Sequence, residues 1–297
     1  MERIFAAADI GSNTCHLLVA GTDGKTIRRI ANESDWLSLG EIVSRERVIP
    51  APLANRLIAT LRRYKRLATT SNAERLYVFA TEAMRLAENH EEIMARLRRE
   101  VGIEVDLISG EVEARYSVRG VSQDCPGEFP ALLVEVGGGS AQVAHYSQGS
   151  IQHELSLPLG SGRLIAETGL ESPAAPAQIR SMHNLIDREI EFCSSFPPVR
   201  RVVASGGIAR GLIRALHPDG ERTLNIVEID YVAWAAARLD VEQIMARFGV
   251  KFKRASTLLP GASVIRALLH CFRQHELMVS EHGVREGAIF QMYEGSL

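Results

Sequence analysis

Residues 4–20 read Ile4-Phe5-Ala6-Ala7-Ala8-Asp9-Ile10-Gly11-Ser12-Asn13-Thr14-Cys15-His16-Leu17-Leu18-Val19-Ala20. A short apolar run closes on an acid, turns at three small residues and resumes as a second apolar run, the pattern of two strands joined by a tight hairpin. The pattern returns 126 residues further on, where Leu132-Leu133-Val134-Glu135-Val136 leads into Gly137-Gly138-Gly139-Ser140 and a second strand over residues 142–146. Two acid-bearing hairpins, each opening one half of the chain, predict a duplicated two-lobed fold with a cleft between the lobes.

Between the hairpins, helix and strand alternate, which places the chain in the α/β class. Leu53, Leu57, Ile58, Leu61, Tyr64 and Leu67 recur at helical spacing after Pro50 and Pro52, and a strand follows over residues 76–80. A second helix carries Ile93, Met94, Leu97 and Val101 and stops at Gly102, before a short strand at 105–108. Residues 122–130, with Pro126, Gly127 and Pro130, are the best linker candidate. Beyond it the pattern predicts helix over most of 173–196, a strand at 201–204 and a turn at Ser205-Gly206-Gly207. Residues 230–267 read as helical with breaks near Gly249 and Pro260-Gly261, followed by a strand at 277–280 and a terminal helix.

The 297 residues allow about two domains of ~150 residues. A formal charge of −2 argues against bulk nucleic-acid binding, which calls for a basic surface. The four cysteines are far apart and form no CxxC pair, so neither a zinc site nor a disulfide framework is indicated, and a reducing, cytoplasmic setting fits. No stretch reaches 18 uninterrupted apolar residues and no secretory leader is evident, so the chain is expected to be soluble, unsecreted and free of membrane contact.

Three glycine-rich turns follow strands, and a backbone without Cβ can bring its N–H groups close to a phosphate. Neither GxxxxGK[ST] nor GxGxxG occurs, so phosphate chemistry must use another scaffold. Asp9 and Glu135 close apolar strands, where a carboxylate is costly unless a partner or a metal receives it. With Glu111 and Glu113 they are candidates for holding Mg²⁺ and activating water. Glu111 reads as a solvated first-turn acid, whereas Glu113 points elsewhere on its helix. Arg85 follows the strand at 76–80 and Arg285 lies between two glycines. Both present a guanidinium suited to bidentate phosphate contact.

Taken in order, seven segments resemble the exopolyphosphatase/guanosine pentaphosphate phosphohydrolase (Ppx/GppA) family. They are residues 9–13 (Asp-Ile-Gly-Ser-Asn), 80–89 (Ala-Thr-Glu-Ala-Met-Arg-Leu-Ala-Glu-Asn), 108–115 (Ile-Ser-Gly-Glu-Val-Glu-Ala-Arg), 136–140 (Val-Gly-Gly-Gly-Ser), 156–160 (Ser-Leu-Pro-Leu-Gly), 205–207 (Ser-Gly-Gly) and 283–287 (Gly-Val-Arg-Glu-Gly). The resemblance implies an α/β, actin-like ATPase superfamily fold of two ribonuclease-H-like lobes, residues 1–124 and 125–297, with the terminal helix free to pack back on the first. It also implies hydrolysis of a terminal phosphoanhydride in inorganic polyphosphate or guanosine pentaphosphate, dependent on Mg²⁺ or Mn²⁺. The partner expected is thus a polyanionic phosphate, with no nucleic acid and no membrane, and a homodimer is compatible.

Residue by residue, the resemblance makes Glu113 the catalytic glutamate that orients and deprotonates water. Asp9 and Glu135, with Gln142, stand at the metal positions. Gly11, Ser12, Asn13, Arg85, Gly137, Gly138, Gly139, Ser140, Gly206, Gly207 and Arg285 stand at phosphate-binding ones. The chain departs from the family pattern with Glu135 for aspartate, Gln142 for glutamate, Ala141 for threonine and His16 for arginine. Val112 and Ile208 also depart from it. Since an amide binds Mg²⁺ more weakly than a carboxylate, metal affinity or rate should fall. A catalytically weakened protein that binds polyphosphate or guanosine tetraphosphate is the alternative. An actin-like sugar kinase or chaperone ATPase shares the scaffold, but the Glu113 motif and residues 283–287 favour the hydrolase.

Overall fold

The computed structural model describes residues 1–127, 130–148 and 150–297, and of residues 192 and 194 the backbone alone. The described residues divide into two compact units, Met1–Gln123 with His282–Leu297, and Asp124–Glu281. Residues 282–297, expected within the second lobe with a terminal helix free to pack back on the first, group with the first unit.

The first unit opens with the meander β1 (Arg3–Ile10), β2 (Thr14–Thr22) and β3 (Ile27–Trp36). It continues through α1 (Leu39–Glu46), α2 (Ala51–Thr70), β4 (Arg75–Ala80), α3 (Glu82–Leu86), α4 (His90–Val101), β5 (Asp106–Leu107) and α5 (Gly110–Asp124). Its sheet runs β3-β2-β1-β4-β5, with β1 antiparallel to β2 and parallel to β4. In the second unit come β6 (Ala131–Val136), β7 (Ala141–Ser147), β8 (Ser150–Leu157), α6 (Ser161–Thr168), α7 (Pro176–Ile190), β9 (Arg201–Ser205) and α8 (Gly206–Leu216). They are followed by β10 (Thr223–Asn225), α9 (Ile226–Ala236), α10 (Val241–Phe248), α11 (Phe252–Cys271) and β11 (Glu276–Val279), and α12 (Val284–Glu294) returns the chain to the first unit. The second sheet runs β8-β7-β6-β9-β11-β10, with β6 antiparallel to β7 and parallel to β9. Apart from the additional β10, the two sheets have the same order and the same strand directions, so the echo read in the sequence is a structural duplication.

The unbroken apolar run of β1 follows from burial on both faces. Ala6, Ala8 and Ile10 join the core formed with Leu53, Leu57, Leu61 and Tyr64 of α2. Phe5 and Ala7 point the other way, into a cluster with Tyr116 of α5 and Ala288 and Ile289 of α12. The period of two places Asp9 on the α5 and α12 side of the sheet. In β6, Leu132, Val134 and Val136 enter the core of the second unit and leave Glu135 on the opposite face.

Three sequence expectations need correction. The linker expected over 122–130 is helical as far as Asp124, and its residues 128 and 129 lie outside the described residues. The strand expected over 105–108 is reduced to Asp106 and Leu107. The break expected at Pro260-Gly261 does not occur: α11 continues through both residues. Proline there removes one N–H, but burial of Leu258, Leu259, Ala262, Val264 and Ile265 carries the helix across the gap. Glycine at 261 is a packing device, since a Cβ there would lie 2.5 Å from Ile208 Cγ2 on α8.

Candidate active site

The two hairpin turns are built alike. In the second unit the carbonyls of the glycine loop are turned onto the start of α6. Gly139 O accepts from Gly160 N at 3.2 Å, Gly137 O from Ser161 N at 2.9 Å, and Gly138 O from Gly162 N at 2.9 Å and Arg163 N at 3.0 Å. Gly137 N closes the turn on Ser140 O at 2.8 Å. With the carbonyls held in this way, the N–H groups of Gly138, Gly139 and Ser140 have no hydrogen-bond partner among the described residues. Consecutive amides without a protein partner are the kind of backbone that can receive an anion. Gly160 makes the close approach feasible, because a Cβ there would fall 2.2 Å from the Gly139 carbonyl carbon.

In the first unit, Gly11 N closes the turn on Thr14 O at 3.1 Å. Asn13 O accepts from Leu37 N and Ser38 N, and Ser12 O from Gly40 N at 2.7 Å. The carbonyls again face a helix start, here α1, and the amides of Ser12 and Asn13 have no partner among the described residues. The sequence supplied the turns in both halves, but not the two helix starts that hold their carbonyls.

Each turn stands beside an acid. Asp9 pairs in register with His16, and Glu135 with Gln142. Asp9 also raises the pKa of the Cys15 thiol, after burial the largest cause, while Arg285 opposes it, so Asp9 and Arg285 both act on that position. Glu135 Oε2 accepts from Ser205 Oγ at 3.1 Å. Gly206 follows at φ 84°, where a Cβ would meet Glu135 Cγ at 3.0 Å. Gln142 is buried and donates Nε2 to Ser156 Oγ at 3.0 Å and to Ser140 Oγ at 3.4 Å, so its amide nitrogen braces the glycine loop. Asp9 and Glu135 offer hard carboxylate oxygens, the donor type Mg²⁺ accepts when phosphate oxygens and water complete its shell. Among the described residues no three His, Cys, Asp or Glu side chains gather as a metal cage.

Glu113 is half-buried on the first turn of α5 and Glu111 is exposed. Arg85, on α3, donates Nη1 to Ile108 O in the segment that opens α5, which brings it to the element carrying Glu113. Arg285 is buried and donates Nη1 to Asn32 Oδ1 at 3.0 Å, and Glu286 bonds Gly283 N and Arg29, so this stretch fastens α12 to β3. Its glycines serve helix packing: a Cβ on Gly287 would lie 1.7 Å from Tyr116 O of α5.

One residue escaped sequence reading. Arg254, at the start of α11, presses its guanidinium against Gly207 and Gly211, where added Cβ atoms would sit 2.7 Å from Nη2 and 2.8 Å from Cδ. Burial first, and then repulsion from Arg210 and Arg214, lowers its pKa to about 10. Among the described residues it has no carboxylate partner. Burial beside other cations disfavours the charged form of this guanidinium, and an anion reaching it would relieve that cost. In the sequence it follows Lys251 and Lys253 and resembles an ordinary surface cation; the glycines that shelter it lie more than 40 residues away.

The family model described as the Ppx/GppA phosphatase family matches residues 18–295. Exopolyphosphatase 1 of Mycobacterium tuberculosis is 28% identical over 95% of this chain and 86% of its own length. The Mycobacterium leprae protein of the same name is 25% identical over 95% and 87%. A Ppx/GppA family member from Aquifex aeolicus superposes with a TM-score of 0.87 at 26% identity, covering 100% of this chain and 99% of that one. The fold is also that of an exopolyphosphatase from Cytophaga hutchinsonii, with a TM-score of 0.88 at 21% identity, covering 99% and 98%. The duplicated actin-like α/β fold implied by the sequence is therefore the fold of this chain.

Proposed function

Because the chain belongs to the Ppx/GppA phosphatase family, we propose that it removes the terminal phosphate of inorganic polyphosphate by in-line attack of water. The observation that carries this reading is the glycine loop, where three consecutive N–H groups, those of Gly138, Gly139 and Ser140, have no hydrogen-bond partner among the described residues. They suit the oxygens of a phosphoryl group, and Arg254 adds a cation in the same unit. Guanosine pentaphosphate presents the same terminal phosphoanhydride, but the names of the mycobacterial relatives favour polyphosphate.

In this reading Glu113 accepts the proton of the attacking water. A P–O bond forms to the water oxygen, the bridging P–O bond breaks, and the shortened chain leaves with the bridging oxygen while orthophosphate is released. Arg85 and the loop amides balance the charge on the equatorial oxygens. Asp9 and Glu135 are the carboxylates that would hold Mg²⁺ or Mn²⁺, which when bound screens phosphate charge and favours ionisation of water. Ser205 keeps Glu135 oriented by its 3.1 Å hydrogen bond.

Phosphate release from polyphosphate, measured with Mg²⁺ and with Mn²⁺, tests the reading. Glu113→Gln should lower kcat by about 10²–10⁴-fold, with little change in KM, the range expected for loss of a general base. Equal release by the variant and the parent would remove Glu113 from the mechanism. Gln142 motivates a second reading, because an amide here supplies no charge for a metal. Tight polyphosphate or guanosine tetraphosphate binding without turnover would select a binding protein of the same fold.

A further inference from the structure

We propose that Trp36 and Ser38 are positioning residues for phosphate binding. Together they latch the start of α1 onto the first hairpin turn, Gly11 to Asn13, and so aim the Asn13 amide, with that of Ser12 beside it, at a phosphate oxygen of the substrate. The inference rests on the hydrolase reading above and adds to it the device that shapes the first turn.

Ser38 opens α1 with φ 57° and ψ 36°. The residue that opens a helix is ordinarily extended, and a serine there ordinarily turns its hydroxyl onto a backbone N–H of the first helical turn. Ser38 does neither: its backbone is left-handed and its side chain makes no cap hydrogen bond. The other non-glycine residues with positive φ among the described residues are Arg47, Asn72, Gln148 and Arg273. Three of them lie just beyond the C-terminal ends of helices, and Gln148 follows β7 in a tight turn, places where the left-handed region is commonly used. A strained backbone and an unmade cap at one residue form an outlier of the kind that functional sites retain.

The hydroxyl is used elsewhere, since Trp36 Nε1 donates to Ser38 Oγ at 2.6 Å. Trp36 is the register partner of Thr14, which follows the turn, and its carbonyl accepts from Arg56 Nη2 on α2 at 3.0 Å. The indole thus projects from a strand end that is itself fixed. The left-handed residue reverses the chain between β3 and α1, so that Leu37 N and Ser38 N both reach Asn13 O, at 2.9 and 3.0 Å, and Gly40 N reaches Ser12 O at 2.7 Å. The approach is close enough that a Cβ on Gly40 would lie 2.7 Å from Ser12 Cβ. Ser12 O and Asn13 N belong to one planar peptide, so clamping the carbonyl also aims the amide.

Hydrogen exchange and steady-state kinetics of the full chain test the latch apart from the chemistry. Trp36→Phe removes the indole N–H and keeps an apolar ring. Ser38→Gly removes the hydroxyl but also the left-handed strain, so its thermal midpoint should stay level. Both variants should exchange the amides of Leu37, Ser38 and Gly40 at least about tenfold faster, because the local opening is easier. Both should raise KM for polyphosphate about 5–20-fold with kcat within about threefold, the pattern of a contact made equally before and in the transition state. Ser38→Asn keeps a side-chain oxygen in a residue that accepts the left-handed region, and should return KM to within about twofold of the parent. The two residues share one bond, so the double variant should be no worse than the poorer single one. Unchanged exchange in both variants overturns the inference, as does faster exchange with KM unmoved, or additive losses in the double variant. A parent chain that neither cleaves nor binds polyphosphate defeats the hydrolase reading, and this inference with it, before any variant is compared.

Discussion

Ser205 Oγ donates a 3.1 Å hydrogen bond to Glu135 Oε2, and the two residues are also register partners between the parallel strands β9 and β6. The acid that the sequence placed at a strand end is thus oriented by the neighbouring strand. Gly206, at φ 84° beside the same carboxylate, completes the arrangement. Gly206→Ala should destabilise the chain by about 1–2 kcal/mol for the left-handed backbone. It should also displace Glu135 and raise the Mg²⁺ concentration needed for half-maximal phosphate release. An unshifted metal dependence would separate Glu135 from the metal.

Arg254 has opposite consequences for binding and stability. If its guanidinium receives substrate phosphate, Arg254→Gln should raise KM for polyphosphate about 10–100-fold, or ~1.4–2.7 kcal/mol. The same change removes a desolvated cation that Arg210 and Arg214 already repel. The thermal midpoint should therefore stay level or rise. A lower midpoint with KM unchanged would make Arg254 a structural residue.

The duplicated fold was legible because a strand buried on both faces is a continuous apolar run, and both β1 and β6 are such runs ending in an acid and a small-residue turn. Local chemistry also located the C-terminus of α4, where Gly102 adopts φ 66°. What stayed hidden depends on distant neighbours. Gly160, Gly261 and Gly287 look like helix breakers or turn residues, yet each is fixed by a close approach to a segment far away in sequence. Arg254 is hidden for the same reason, since its environment, with no acid partner among the described residues, is set by segments distant in sequence. β3 and β8, at sheet edges, lack the apolar periodicity that revealed the central strands.

Asp124 fastens the two points at which the chain enters and leaves the second unit. Its carboxylate accepts from Ser280 Oγ and Glu281 N, both at 2.8 Å, and from Arg222. Arg222 in turn donates Nε to Val279 O at 3.0 Å. Asp124→Ala leaves these donors without their acceptor in a largely buried setting, and should destabilise the chain by about 2–3 kcal/mol. Chemical denaturation checks this, and a loss below about 0.5 kcal/mol would mean that solvent replaces the carboxylate freely.

His145 predicts how stability varies with pH. The residue is 2% exposed on β7, and a backbone hydrogen bond to Pro198 favours its charged form, opposing burial. The ring of His153, its register partner on β8, lies 6.1 Å away. Burial first, and then repulsion from His153, lowers the pKa of His145 below its ordinary 6.5. Well above 6.5 both the folded and the unfolded chain keep this imidazole neutral, and the group adds no pH dependence. As the pH falls through 6.5, the unfolded chain takes up a proton that the folded chain refuses, so stability declines until the folded pKa is passed. For one proton the slope cannot exceed about 1.4 kcal/mol per pH unit. His145→Phe removes the titrating group while retaining an apolar ring, and should flatten the pH 5–7 limb of the stability profile relative to the parent. Carboxylates elsewhere titrate lower and remain in both proteins, so the difference between the two profiles isolates His145. Parallel profiles across that range would show that the buried imidazole gains a proton as readily in the folded chain as in water.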